Sequence, residues 1–463
     1  MKKLLLTAVS TAAIAIAAPA YAQSTSTISQ GGIGGHTVTV DQTGDILGSD
    51  SNILQTGETN TATVTQSDDG SSNFPAPVNL ADIDQTGDNN DATIEQDSET
   101  SFVVNTSTIE QTGDRNVAIS RQFDDGQISI INQTSASNTA DVTQGDEILA
   151  ASDLSFENDS VVNQGGLGGH IALVNQGGQE GISVVDQVGL GNEARVNQAG
   201  TQNSTAVQSG DGNFVMVTQS GGEQISFVEQ INENATAIVE QSGDSNGSNI
   251  FQGNPLNPQA DMTTDVLQSG ERNESDVDQA SRLSVIDIDQ IGDDNVSTVT
   301  QSFGTRGSTA SVTQSGDDNT SDIVQRSDGP GAPPFSFETS ATVDQRGVGD
   351  ESFITQESTA ATAFVTQIGT LDGNLSTINQ DGPIDDVLLG NSATVLQDGD
   401  LNTSTITQDG TLLTANLTQL GDSNISTIVQ SGNGHTATVT QSGGNTLNLT
   451  QSGSVGNTAT INQ

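Results

Sequence analysis

The 463-residue chain has no cysteine, no tryptophan, one tyrosine and nine prolines, and it sets only ten basic residues against 59 acidic ones. Each shortage removes a class of answers. Without cysteine there is neither a disulfide framework nor thiol chemistry. Lys2 and Lys3 are the only lysines, so the chain beyond them holds eight arginines, and its formal charge moves from −49 to −51. Phosphate backbones need a basic face, which excludes nucleic acid as a partner and disfavours an anionic membrane surface. Apolar runs are scarce as well. After residues 4–18 nothing approaches the roughly 18 apolar residues of a membrane span, so no membrane insertion is expected. That first run follows the two lysines and precedes Ala20-Tyr21-Ala22, the small-x-small form of a secretory cleavage site. Residues 1–22 therefore read as a signal peptide and Gln23 as the start of an exported chain.

Few aromatics and heavy charge would by themselves suggest disorder. The internal repeat argues otherwise. Aligned on a glutamine whose second-preceding residue is aliphatic, 36 anchors run from Gln30 to Gln463, most of them eleven residues apart. In 34 of them that preceding residue is Val, Ile or Leu, with Ser120 and Ala206 as the exceptions. The stretch QTGDNNDATIEQ, residues 85–96, shows the unit. Side chains alternate between the faces of a strand, so Asn90, Ala92, Ile94 and Gln96 share one face, while Asp91, Thr93 and Glu95 share the other. The first set is an inside and the second an outside.

A glycine stands two places after 24 of the 35 anchors that have a following residue, among them Gly57, Gly87, Gly113, Gly189, Gly399 and Gly421. Glycine accepts positive φ, and the Asp or Asn that often follows hydrogen-bonds its own turn. About six residues of strand and five of turn leave no room for a helical crossover, so consecutive strands fold back into opposite walls. Proline supports this register, because a residue without an N–H cannot serve a central strand. Apart from Pro19, every proline falls in a longer gap between anchors, near 67–80, 253–262, 327–337 and 381–388. These gaps read as insertions in a single repeat array over 23–463.

The expected fold is all-β: a β-solenoid of about 18 stacked strand-turn-strand coils, with two parallel sheets facing each other across a thin amide and aliphatic core. Each strand then stacks on the strand two units away, about 4.8 Å along the axis. Each buried Gln lies above a Gln and each Asn above an Asn, so a column can satisfy its own donors and acceptors. The amide ladder is assigned to Gln55, Asn60, Gln66, Gln85, Asn90, Gln96, Gln187, Asn192, Gln198, Gln219, Gln397, Asn402, Gln408, Gln419, Asn424 and Gln430.

These residues resemble the curlin repeats of bacterial curli fibre subunits, whose pattern is Ser-x5-Gln-x-Gly-x2-Asn-x-Ala-x3-Gln. Ser49, Gln55, Gly57, Asn60, Ala62 and Gln66 match it position by position. Its second half recurs as Gln187, Gly189, Asn192, Ala194 and Gln198, and as Gln111, Gly113, Asn116, Ala118 and Gln122. The resemblance implies a secreted functional amyloid that polymerises into extracellular adhesive fibres at the bacterial cell surface and in the biofilm matrix. A nucleator, secretion machinery and host or abiotic surfaces are the partners that go with such a role. Two differences stand out. Familiar subunits have about five repeats against roughly eighteen here. They also carry a non-repeat segment that addresses a dedicated outer-membrane pore, where this chain begins its strand-like QSTSTISQ at Gln23. That start and the closing GNTATINQ show no capping segment, and bare edge strands lead to self-association head to tail.

Catalysis has little support. His36, His170 and His435 each sit six residues before an anchor, the place of Asn in other units, and read as amide substitutes rather than a metal cluster. No Ser is paired with a His and a carboxylate at a defined site. QGGIGGH and QGGLGGH lack the Lys-Ser/Thr ending and the following helix of a phosphate loop. The turns Gly292-Asp293-Asp294-Asn295 and Gly316-Asp317-Asp318-Asn319 invite weak Ca²⁺ binding, although the period is eleven rather than the nine of calcium β-rolls. No enzyme and no cofactor is expected. The alternative to a polymerising subunit is a non-polymerising acidic surface adhesin or calcium-stabilised β-rod.

Overall fold

The computed structural model describes residues 24–44, 49–68, 79–98, 104–123, 125–145, 157–253, 261–302, 305–326, 336–370, 372–382 and 390–463. The segment read as a signal peptide, residues 1–22, lies outside the described residues, as do all nine prolines and most of the four insertions. Among the described residues there is no helix, and strands follow one another at the spacing of the anchors. They make about 16 turns of β-solenoid, close to the 18 coils expected.

Most strands pair in parallel with the strand two along, in the register that the sequence dictates. Asp50–Glu58 lies against Leu80–Asp88 with Ile53 beside Ile83, Gln55 beside Gln85 and Gly57 beside Gly87. Thr61–Asp68, which falls between those two in the chain, lies against Asp91–Ser98, with Ala62 beside Ala92 and Gln66 beside Gln96. The insertion near 67–80 thus interrupts the chain without shifting the ladder. The same holds across the insertion near 327–337, where Gln325 pairs with Gln356, and across that near 381–388, where Gln380 pairs with Gln408.

The period of two decides what is buried. Along Asp91–Ser98 buried residues alternate with exposed or half-exposed ones, and Ala92, Ile94 and Gln96 have no accessible surface. Ile53, Ile83, Ile109 and Ile131 are each 0% exposed in one column, every one adding about 2–3 kcal/mol of apolar burial. Some corners are turned without breaking the strand. Glu193–Asp211 lies against Ile171–Gln176 through its first six residues and against Ile182–Leu190 through its last nine.

The chain divides into two compact units, Met1–Glu223 and Gln224–Gln463. The division falls at neither end of a proline-bearing insertion but within the strand Phe214–Gln230.

Candidate functional site

The inward amides are the feature that repeats through both units. In the first unit Gln30 Nε2 donates to Gln55 Oε1, and the same bond runs on through Gln85, Gln111, Gln133, Gln164 and Gln187 to Gln208 at 2.8–2.9 Å. On the facing wall the column is Gln42, Gln66, Gln96, Gln122, Gln144, Gln176, Gln198 and Gln219, at 2.8–3.1 Å. The second unit holds two longer columns. One runs from Gln230 to Gln451 at 2.8–3.2 Å and includes Gln408 and Gln430. The other runs from Gln241 to Gln463 at 2.7–3.4 Å and includes Gln397 and Gln419. Every bond points the same way, from Nε2 of one coil to Oε1 of the next coil along the chain.

The second amide hydrogen crosses the core. Gln85 donates to Thr61 O at 2.9 Å, Gln96 to Leu80 O at 3.0 Å and Gln408 to Ser392 O at 2.9 Å. One side chain therefore ties its coil to the next coil and to the facing wall. A buried amide without such partners would cost about 1–3 kcal/mol.

Asparagines are stacked too, but they bond differently from the expected side-chain column. Asn60 Oδ1 accepts the backbone N–H of Asn90 at 2.9 Å, and Asn60 Nδ2 donates to Gly87 O at 2.8 Å. Asn90 repeats this with Asn116 N and Gly113 O, and Asn192 with Asn213 N and Gly210 O. Direct amide pairs are added at some rungs, as where Asn424 Nδ2 donates to Asn402 Oδ1 at 3.0 Å. The asparagine mainly pins the next coil's backbone, and the glutamine pins the next coil's side chain.

The three histidines take the asparagine place and make its bonds. His36, His170 and His435 are buried, and their Nδ1 atoms accept the backbone N–H of Asn60, Asn192 and Asn457 at 3.3, 3.2 and 3.0 Å. Their Nε2 atoms lie 2.9, 2.7 and 3.0 Å from the carbonyl oxygens of Gly31, Gly165 and Ser431. Such a ring carries its proton on Nε2. Protonating Nδ1 would set two N–H groups face to face. Burial holds His170 below the ordinary histidine value. The stability tied to this depressed value is whole above the unfolded value of about 6.5 and is lost as pH falls below it. His170→Asn, which keeps both bonds, is expected to flatten that fall below about pH 6.5. Denaturation midpoints taken across this range check it, and equal slopes in the two proteins would refute it.

The turns form a further column. Gly57, Gly87, Gly113, Gly189, Gly399 and Gly421 all have positive φ, between 73° and 124°. The aspartates beside them have a role that spacing alone did not reveal. Asp88 Oδ1 accepts the backbone N–H of Glu58 at 2.8 Å, and Asp114 Oδ1 that of Asp88 at 2.9 Å. Asp293 and Asp317 do the same for Glu271 and Asp293 at 2.9 and 3.0 Å, and Asp294 pairs with Arg272 at 2.6 Å. Turn carboxylates are thus rungs between coils. Among the described residues no group of three or more His, Asp or Glu side chains is placed to hold a metal ion.

The structure places all sixteen amides of the sequence assignment in the core, 0–3% exposed. Comparison with known families agrees with this geometry in both units. The curlin associated repeat matches residues 78–98 in the first unit and residues 285–316 and 413–443 in the second. No curated protein matches the chain. The chain is a β-solenoid that carries the curlin associated repeat at three places.

Proposed function

We propose that this chain is a secreted structural subunit that stacks on copies of itself into curli-like amyloid fibres serving adhesion and the biofilm matrix. One observation carries the reading: the glutamine columns run in a single direction in constant parallel register, so any coil of the same spacing can extend them. A cross-β stack satisfies each backbone group with the chain above and below. The test is electron microscopy with fibre diffraction on the purified chain lacking residues 1–22. Unbranched filaments with a reflection near 4.8 Å along the fibre axis are expected. A chain that stays monomeric at high concentration and moderate salt would leave the solitary adhesin as the better reading.

Charge sets the conditions for assembly. With a net charge of −51 once Lys2 and Lys3 are gone with residues 1–22, copies repel at low salt, and about 0.1 M salt screens exposed charges beyond some 10 Å. Stacked carboxylates add to this. Burial and then the neighbouring Glu110 and Asp82 raise Asp84, and burial, Asp287, Glu240 and Asp289 raise Asp265. Groups with raised values favour the folded stack while protonated, and that contribution is lost as pH rises through them. Lag times are therefore expected to shorten as salt rises and as pH falls towards 4, followed by an amyloid dye or light scattering. Lag times that do not change with salt would overturn this. If Ca²⁺ shortens the lag more than Mg²⁺ at equal ionic strength, the acidic turns bind it as a ligand; equal effects mean screening alone.

A further inference from the structure

Charge is spread unevenly over the outward faces of the second unit. Its earlier strands point Glu229, Glu240, Asp265, Asp276, Asp278, Asp287 and Asp289 away from the core. From Thr362–Ile368 to Thr458–Asn462 there are nine strands. In these, no residue that points outward ahead of the anchor glutamine is charged. The described carboxylates of this stretch, Asp372, Asp381, Asp398, Asp400, Asp409 and Asp422, stand at strand ends or in turns, and residues 423–463 contain no Asp, Glu, Lys or Arg at all. What faces outward is hydroxyl, apolar and, at Asn379, Asn416 and Asn448, amide: Thr403, Thr405 and Thr407 stand on one wall, Thr436, Thr438 and Thr440 on the other, with Ile425 and Phe364 46% and 43% exposed. Among the described residues those six threonine hydroxyls have no hydrogen-bond partner within the chain.

We infer that these two uncharged faces are where filaments of this chain pack side by side, each face covered by the same face of a second copy. The inference rests on the axial stacking proposed above. Elsewhere on this unit two approaching sheets would bring carboxylate against carboxylate, inside the range over which salt screens poorly. Here they would not. Because every copy has the same rung spacing, threonine and aliphatic side chains of two sheets mesh in register along the stack, as in a dry zipper, with the edge aspartates left as a wet rim. Area decides when this happens. Five rungs on one wall and four on the other, at about 4.8 Å each with strands of about 20 Å, give roughly 480 and 380 Å², both below the roughly 800 Å² per partner of a stable complex. One pair of molecules therefore does not hold, whereas stacked molecules repeat the contact and add its strength along the filament. Lateral pairing follows axial growth.

The test introduces charge on the faces. Thr405→Asp with Thr438→Asp is expected to leave axial growth within about twofold of wild type while cutting mean bundle width about threefold, to single filaments. Thr298→Asp, which adds a carboxylate beside Asp276 in the acidic stretch, is expected to leave bundles unchanged. Growth is followed by an amyloid dye and width by negative-stain microscopy. Bundles of wild-type width in the double variant, or equal dispersal by Thr298→Asp, would overturn the lateral face and leave axial stacking intact. Wild-type chains that form no filaments would overturn the axial reading, and the lateral one with it.

Discussion

Gly87→Ala is expected to destabilise the first unit by about 3 kcal/mol or more. Two causes combine. Gly87 has φ of +116°, which L side chains rarely adopt, and a Cβ there would lie on the carbonyl oxygen of Gly113 in the next coil, well inside van der Waals contact. Moving away would break the bond from Asn90 Nδ2 to that same oxygen, 2.7 Å long. Gly247→Ala is the control, since its φ is ordinary and nothing lies within 4 Å of the added carbon. That change is expected to be neutral or slightly stabilising. Denaturant midpoints of the two variants decide the matter, and similar shifts would show that close approach between coils is not what keeps glycine in the turns.

Gln408→Leu is expected to have the next largest effect. Leucine fills much of the same volume, but Gln380 loses its acceptor, Gln430 loses its donor and Ser392 O loses its bond from across the core. Each orphaned group costs about 1–3 kcal/mol, partly relieved at Gln380, which still donates to Thr362 O at 2.9 Å. The adjacent outward change Thr407→Val should stay within about 0.5 kcal/mol. Equal loss of denaturant resistance in the two variants would mean that the column adds nothing beyond its volume.

The facing of these residues could be read in the sequence because a period of two leaves no freedom once one member is buried: with Ile94 inside, Ala92 and Gln96 must be inside as well. Which atoms they bond could not be read in the same way. The glutamine and asparagine positions look alike in the repeat, yet one extra methylene carries the Gln96 amide into the core, where it meets Gln122. The shorter Asn90 amide stays beside its own wall and meets the backbone of Asn116 and Gly113. Asp88 and Asp114 were ambiguous for a related reason. Solvated turn aspartates and those that bridge coils share one sequence pattern, and only the register of Gly57 on Gly87 brings the Asp88 carboxylate to the Glu58 N–H. The boundary between Glu223 and Gln224 left no mark of composition, because the repeat continues unbroken through the strand Phe214–Gln230.

Because every glutamine in a column donates towards its successor, the side-chain amides add their dipoles instead of cancelling them, as peptide units do in a helix. A column built from bonds such as those from Gln380 to Gln408 and from Gln408 to Gln430 leaves spare carbonyl oxygens at one end and spare N–H groups at the other. The two ends of such a column are electrically and chemically unlike, so a chain arriving at one meets a different surface from a chain arriving at the other. Filaments built this way would be vectorial, with two tips that elongate at different speeds.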